Sequence, residues 1–132
     1  MYKMEKTIVV TIIENNKKEL LLQKKSLDYP VYPGVWCFVG GEAESEDFHK
    51  EMLREIKEEL GIKMNVKFMF TEKTISKRGK STFYVFLSKL NDLSKIKIKE
   101  GVGIALFGKK ELNQLRIDPE TKKILIKYFK EF

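Results

Sequence analysis

The sequence predicts an α/β domain, on three observations. Apolar residues recur at helical spacing from Phe48 up to a glycine at position 61; β-branched and aromatic runs come in pairs separated by short polar turns; a second amphipathic helix starts at Asp118. At 132 residues, with 42% hydrophobic and 34% charged side chains, the chain has enough apolar material for a real core, and a single globular domain over 1–132 is expected. The apolar run between Glu5 and Glu14 is too short and too β-branched for a signal peptide or a membrane span. One cysteine, Cys37, leaves no intrachain disulfide. Both facts favour the cytoplasm.

Lys6 to Ile13 reads as a strand, Asn15 to Lys18 as a turn and Glu19 to Lys25 as a second strand, together a hairpin. Ser26 to Gly34 holds two prolines and a glycine and is a loop. Its Tyr29 and Tyr32 either pin the loop or stack on a base. Val35 to Val39 is a short strand ending at the paired glycines Gly40 and Gly41, with Cys37 as a small packed side chain. Val66 to Ser76 and Ser81 to Leu90 form a second hairpin around Lys77-Arg78-Gly79-Lys80. Ile96 to Lys99 alternates as a half-buried strand does, and a glycine-rich stretch, Glu100 to Gly103, precedes the apolar run Ile104 to Phe107. Lys109 to Leu112 is one helical turn. Asp118 is the N-cap of the last helix with Pro119 at its first position; Ile124, Leu125, Tyr128, Phe129 and Phe132 share its apolar face.

The helix from Phe48 carries the chemistry. Met52, Ile56 and Leu60 bind it to a core, and at about 100° per residue Glu51, Glu55, Glu58 and Glu59 fall within an arc of roughly 100° beside that stripe. Two carboxylates ~6 Å apart repel by about 0.7 kcal/mol in bulk water and about 2.8 kcal/mol at an effective dielectric near 20. A half-sheltered cleft therefore calls for a positive partner. Arg54 offsets one charge, and the remainder suits a hard divalent cation with oxygen ligands, Mg²⁺ or Mn²⁺. His49, the only histidine, is placed in solvent without a role.

The flanks make the segment specific. Gly40, Glu46, Arg54, Glu55, Ile56, Glu58, Glu59, Gly61 and Ile62 fit Gly-x5-Glu-x7-Arg-Glu-U-x-Glu-Glu-x-Gly-U, with U a bulky aliphatic residue. The stretch resembles the box of the Nudix hydrolases. It departs from the usual pattern in having Val39 before the glycines and Ser45-Glu46 before the helix; anchored on Gly41 instead, Asp47 takes the place of Glu46. The half from Arg54 to Ile62 is the same in either alignment. The resemblance implies the Nudix fold, a mixed sheet sandwiched between helices. It implies hydrolysis of a nucleoside diphosphate linked to a further group, with Glu55, Glu58 and Glu59 on Mg²⁺, a carbonyl from Gly40 or Gly41, and Arg54 orienting Glu55 by a charge-assisted hydrogen bond. Glu58 or Glu100 would be the base. Lys24 and Lys25 stand where such enzymes often face basic residues to the substrate, and Asp118 where some carry a base-reading side chain.

The net charge of +7 suits a phosphorylated small molecule, nucleic acid or an anionic surface. Its lysines are scattered without the aromatic interleaving of a dedicated nucleic-acid reader, so the expected partner is a small phosphorylated nucleotide, with no membrane. Nucleic acid enters only as a 5′-triphosphate RNA substrate, the mRNA 5′-end pyrophosphohydrolase alternative. A non-catalytic nucleotide-sensing module is the other rival, against which the intact set of box carboxylates counts.

Overall fold

The computed structural model describes residues 5–96 and 103–132. Strand β1 (Lys6–Glu14) pairs in parallel with β6 (Gly79–Lys89) along its whole length, Lys6 opposite Ser81 and Glu14 opposite Lys89, so β6 takes one edge of β1. Likewise β7 (Gly103–Phe107) takes one edge of β2 (Leu20–Lys24). On their facing edges β1 and β2 pair only beside the turn, Ile13 with Leu21 and Glu14 with Leu20.

Beyond those two pairs the strands part, and both open ladders need partners. The segment 36–42 supplies them. Its first part, β3 (Trp36–Cys37), pairs with Lys24 and Gln23 of β2; its second, β4 (Val39–Glu42), pairs antiparallel with β1 from Thr11 to Ile8. The first hairpin is therefore a fork rather than the plain hairpin the local pattern suggests. The strand expected to stop at Val39 continues through both glycines. On the far side β5 (Lys67–Ser76) pairs antiparallel with β6 and forms the outer edge of the sheet.

Strand alternation sends successive side chains to opposite faces, and each face carries its own helix. Val9, Ile13, Leu21, Val39 and Phe86 pack against Met52, Ile56 and Leu60 of α1 (Phe48–Leu60). Val10, Ile12, Leu22, Phe83 and Val85 pack against Leu112 of α2 (Lys109–Leu112) and Ile124, Leu125 and Tyr128 of α3 (Pro119–Glu131). This is the expected mixed sheet between helices. Phe132 lies at the end of the α3 face, largely in solvent but stacked on Phe70. Residues 97–99 of the strand expected at Ile96 to Lys99 lie outside the described residues. No helix among the described residues is long and apolar enough to cross a membrane.

At the closed end of the fork Glu14 is buried yet charged. Burial works against its charge, but hydrogen bonds from Lys89 Nζ (2.7 Å) and the Tyr128 hydroxyl (3.0 Å) outweigh that and hold its carboxyl below the usual range. Burial, and after it the same contact with Glu14, raises the Tyr128 phenol to about 12. Because the folded value of Glu14 lies below its ordinary 4.5, its contribution to stability is full above that pH and lost as pH falls through the folded value. Glu14→Gln should lower the unfolding midpoint at pH 7 and shrink the stability loss on acidification below about pH 4.5, a comparison read from urea titrations at several pH values.

Candidate active site

Helix α1 begins at Asp47, whose side chain accepts the Lys50 N–H, and ends at Gly61, whose left-handed backbone (φ 69°) lets its N–H close on the Lys57 carbonyl. Both ends are thus set by local chemistry. Asp47 acts as the cap, while Glu46 beside it is exposed.

On the side of α1 that meets β4, Glu59 is only 2% exposed. Its Oε2 accepts the Gly40 N–H at 2.9 Å and its Oε1 accepts a short hydrogen bond from Gln23 Nε2. Both donors come from the fork, Gln23 from β2 and Gly40 from β4. Gln23, itself 1% exposed, is a site residue that the sequence reading passes over. The available signal was an amide ending the apolar run Leu20-Leu21-Leu22, since a buried amide demands a partner.

The two glycines have different jobs. A Cβ on Gly40 would press on the Val9 carbonyl and come within 2.8 Å of Val10 Cα, so only glycine lets β4 lie this close to β1. A Cβ on Gly41 would instead come within 2.8 Å of the Glu55 carboxyl carbon. Gly41 thereby keeps room beside a buried carboxylate.

Arg54 does not orient Glu55 by a hydrogen bond, as expected from the sequence; its Nη2 stands 4.0 Å from Glu55 Oε2. Its hydrogen bonds go to Glu51 Oε1 and Glu58 Oε1, each at 2.9 Å, one helical turn to either side. Residues at i and i+1 do not face each other on a helix, whereas those at i−3 and i+4 do. The Glu51 carboxylate also accepts the Glu44 N–H at 2.6 Å. Arg54 first, then that amide, hold the Glu51 carboxyl below its ordinary range, and Glu51 above all raises the Arg54 guanidinium. Glu58, by contrast, has its side chain 49% exposed.

Glu55, Glu58, Glu59, Arg54 and the glycine pair are thus gathered on one side of the sheet. Lys24, Tyr32 and Asp118 lie toward the other. The Lys24 amine is 6.0 Å from the ring of Trp36, which packs with the α3-side core. The Tyr32 hydroxyl accepts the Lys77 N–H, and Arg78 lies over its ring at 5.0 Å. Asp118 caps α3 through the N–H groups of Glu120 and Thr121 and binds Arg78 Nη1 at 2.7 Å. Lys25 sits over Tyr29 at 4.9 Å. His49 is exposed; Cys37 is buried and its thiol is pushed up to about 12. Glu100 lies outside the described residues.

A family model described as NUDIX domain matches residues 4–128. The chain belongs to the Nudix family. Among relatives, the nucleoside triphosphatase NudI of Klebsiella pneumoniae is 44% identical over 59 residues, 45% of this chain and 41% of that protein. NudI of Escherichia coli O139:H28 is 45% identical over 58 residues, 43% of this chain and 40% of that protein. The matched stretch therefore spans about two fifths of either relative. The fold extends further than the sequence likeness. A MutT protein from Methanosarcina mazei Go1 superposes with a TM-score of 0.82 at 20% identity, covering 98% of this chain and 96% of that one. The Nudix domain of Shewanella oneidensis NrtR, solved with ADP ribose, gives 0.81 at 14% identity, covering 98% and 89%.

Within this Nudix site the two glycines make a paired test. Gly40→Ala forces backbone against backbone and should cost about 2 kcal/mol or more of stability by denaturant unfolding. Gly41→Ala needs only the flexible end of Glu55 to move, so the protein should stay within about 1 kcal/mol of wild type. If both variants lose stability equally, the assignment of Gly41 to the Glu55 carboxylate is wrong.

Proposed function

We propose that the chain is a divalent-metal-dependent nucleotide pyrophosphohydrolase, cleaving the diphosphate bond of a nucleoside diphosphate linked to another group: a (d)NTP, an oxidised nucleotide or a nucleotide sugar. The observation that carries this reading is the burial of Glu55 and Glu59 side by side on α1 against the glycine pair, with Glu59 anchored from two strands. Carboxylates taken out of water are costly unless positive charge compensates them. Arg54 supplies one positive charge for the whole acidic face, with hydrogen bonds to Glu51 and Glu58 and its Nη2 4.0 Å from Glu55 Oε2.

The donor chemistry fits a hard cation. All candidate ligands are oxygens, as Mg²⁺ or Mn²⁺ prefers, and Gly41 leaves space beside the Glu55 carboxylate. Among the described residues no three acids already stand as a chelating group, and Glu58 is turned toward Arg54. Glu55, Glu58 and Glu59 would hold the ion, with a carbonyl of Gly40 or Gly41. Bound there, it would neutralise charge developing on phosphate oxygens and lower the pKa of the attacking water.

The chain's own residues have separable tasks in this reading. Gln23 and the Gly40 N–H fix the Glu59 carboxylate, so it need not be ordered when substrate arrives. Arg54 keeps Glu51 ionised and leaves Glu58 at the solvent edge, where it can take a proton from water. Glu100 is the other candidate for that proton transfer. The positive envelope, net +7, favours approach of a polyphosphate. The relatives' name, nucleoside triphosphatase, and the ADP ribose held by the NrtR domain suit the same substrate class.

The test is a panel of dNTPs, 8-oxo-dGTP, ADP-ribose, nucleotide sugars, dinucleoside polyphosphates and triphosphorylated RNA, assayed with Mg²⁺ and with Mn²⁺. On the best substrate, Glu59→Gln should abolish turnover, and whichever of Glu58→Gln and Glu100→Gln removes the base should lower kcat by roughly 10²-fold or more. Millimolar Mg²⁺ or Mn²⁺ should raise Tm in wild type and not in Glu55→Gln/Glu59→Gln, since a ligand of the folded state alone stabilises it. An equal rise in both proteins, or no turnover anywhere on the panel, would sink the reading.

A further inference from the structure

We propose that Thr121 of α3 is a positioning residue for the Glu59 carboxylate across the sheet, acting through the Phe38 backbone; its catalytic meaning rests on the metal-dependent reading above. Phe38 is where the segment 36–42 leaves β2 for β1. The last pair with β2 is Cys37 with Gln23, and the first with β1 is Val39 with Thr11. Phe38 thus lies between β3 and β4, in neither ladder, and it is buried. Buried backbone groups outside a ladder must find their partners elsewhere.

Side chains supply them. The Phe38 N–H donates to Thr121 Oγ1 and its carbonyl accepts from Gln23 Nε2, each at 3.4 Å. The same Gln23 Nε2 donates to Glu59 Oε1, and two residues past Phe38 the Gly40 N–H donates to Glu59 Oε2. The Phe38 backbone therefore stands between the Thr121 hydroxyl and two groups that hold Glu59.

The start of α3 grips the same segment a second time. The Trp36 N–H donates to the Arg116 carbonyl and the Asp118 N–H to the Trp36 carbonyl, both at 2.9 Å, so residues 116–118 run beside β3 as a short parallel partner. Asp118 is itself fixed as the α3 cap and by Arg78. Thr121 carries this grip two residues further, to the crossing itself. It is buried on the α3 face that also holds Ile124, Leu125 and Tyr128, a face that an aliphatic side chain would suit. The hydroxyl is the part that packing does not explain. Without it the Phe38 N–H would be buried with no acceptor, a penalty relieved only if the crossing shifts. The Phe38 carbonyl and the Gly40 N–H would move with it. Glu59 would then lose the alignment of its donors although no residue touching it had changed.

The test is Mn²⁺ binding followed by electron paramagnetic resonance, with hydrogen exchange of the metal-free protein as a second readout. Thr121→Val keeps the shape and removes the acceptor, Thr121→Ser keeps a hydroxyl, and Ile124→Val loses core packing one turn further along α3. Mn²⁺ affinity should fall roughly tenfold in Thr121→Val, the scale carried by groups that hold a metal ligand in place. Thr121→Ala should show the same loss, while Thr121→Ser and Ile124→Val stay near wild type. In the metal-free protein the Phe38 amide should exchange roughly tenfold faster in Thr121→Val, measured against the Val9 and Val10 amides of β1. Unchanged Mn²⁺ affinity in Thr121→Val, an equal loss in Ile124→Val, or an unchanged Phe38 exchange rate would each overturn the proposal while leaving the metal-dependent reading in place. Wild-type protein that binds no Mn²⁺ would instead sink that reading, and the role given to Thr121 with it.

Discussion

Gly40 lies so close to β1 that no side chain fits between them, and that approach governs the site. It lets β4 fill the edge of β1 that β2 abandons, and it turns the Gly40 N–H onto Glu59. The fork in the sheet and the anchoring of the helix carboxylate are therefore one constraint. Because Gln23 on the other prong holds the second oxygen, Glu59 ties both prongs to α1. Replacing its charge by an amide would set one donor against another, so the stability of this region rests on the ionised form, contrary to what mutual repulsion alone suggests.

Local chemistry made much of this legible. The extent of α1, its Asp47 and Gly61 ends, the Asp118 cap with Pro119, and most strands follow from spacing and capping within a few residues. The box from Arg54 to Ile62 names two carboxylates, Glu55 and Glu59, that the fold buries on α1. What escaped is what lies far apart in sequence. The fork needs residues 36–42 beside β1, and Gln23 meets Glu59 across 36 positions. Asp118 was read correctly as a cap, but its second partner, Arg78, is 40 positions away. The Arg54 partners are a different case, since helical geometry alone points to Glu51 and Glu58.

Charge is laid out in two tiers. The acids of α1 sit toward β4, and Lys50, Lys57 and Lys63, in no ion pair among the described residues, sit on the other flank, with Arg54 between them. A net charge of +7 read from composition blends these into one number and hides that the protein has an acidic centre within a basic surround. In the proposed reaction a polyanionic substrate would meet the two in turn, the lysines raising its local concentration over a Debye length of about 10 Å and the carboxylates accepting its phosphates only through a bound cation.

Arg54 holds two carboxylates by bonds of equal length, yet they are not equivalent. Glu51 is buried and bound a second time by the Glu44 amide, whereas Glu58 is half in water. An exposed pair of this kind contributes about 0–1 kcal/mol, so freeing Glu58 costs little. Freeing Glu51 would break its bond to Arg54 and, through the same oxygen, its bond to the Glu44 amide. If a cation is to recruit a third carboxylate beside Glu55 and Glu59, Glu58 is the one able to move, and Arg54 stays in place on Glu51 when it does. The helix thus has one fixed ion pair that keeps Arg54 in register and one weak pair that lets a carboxylate leave.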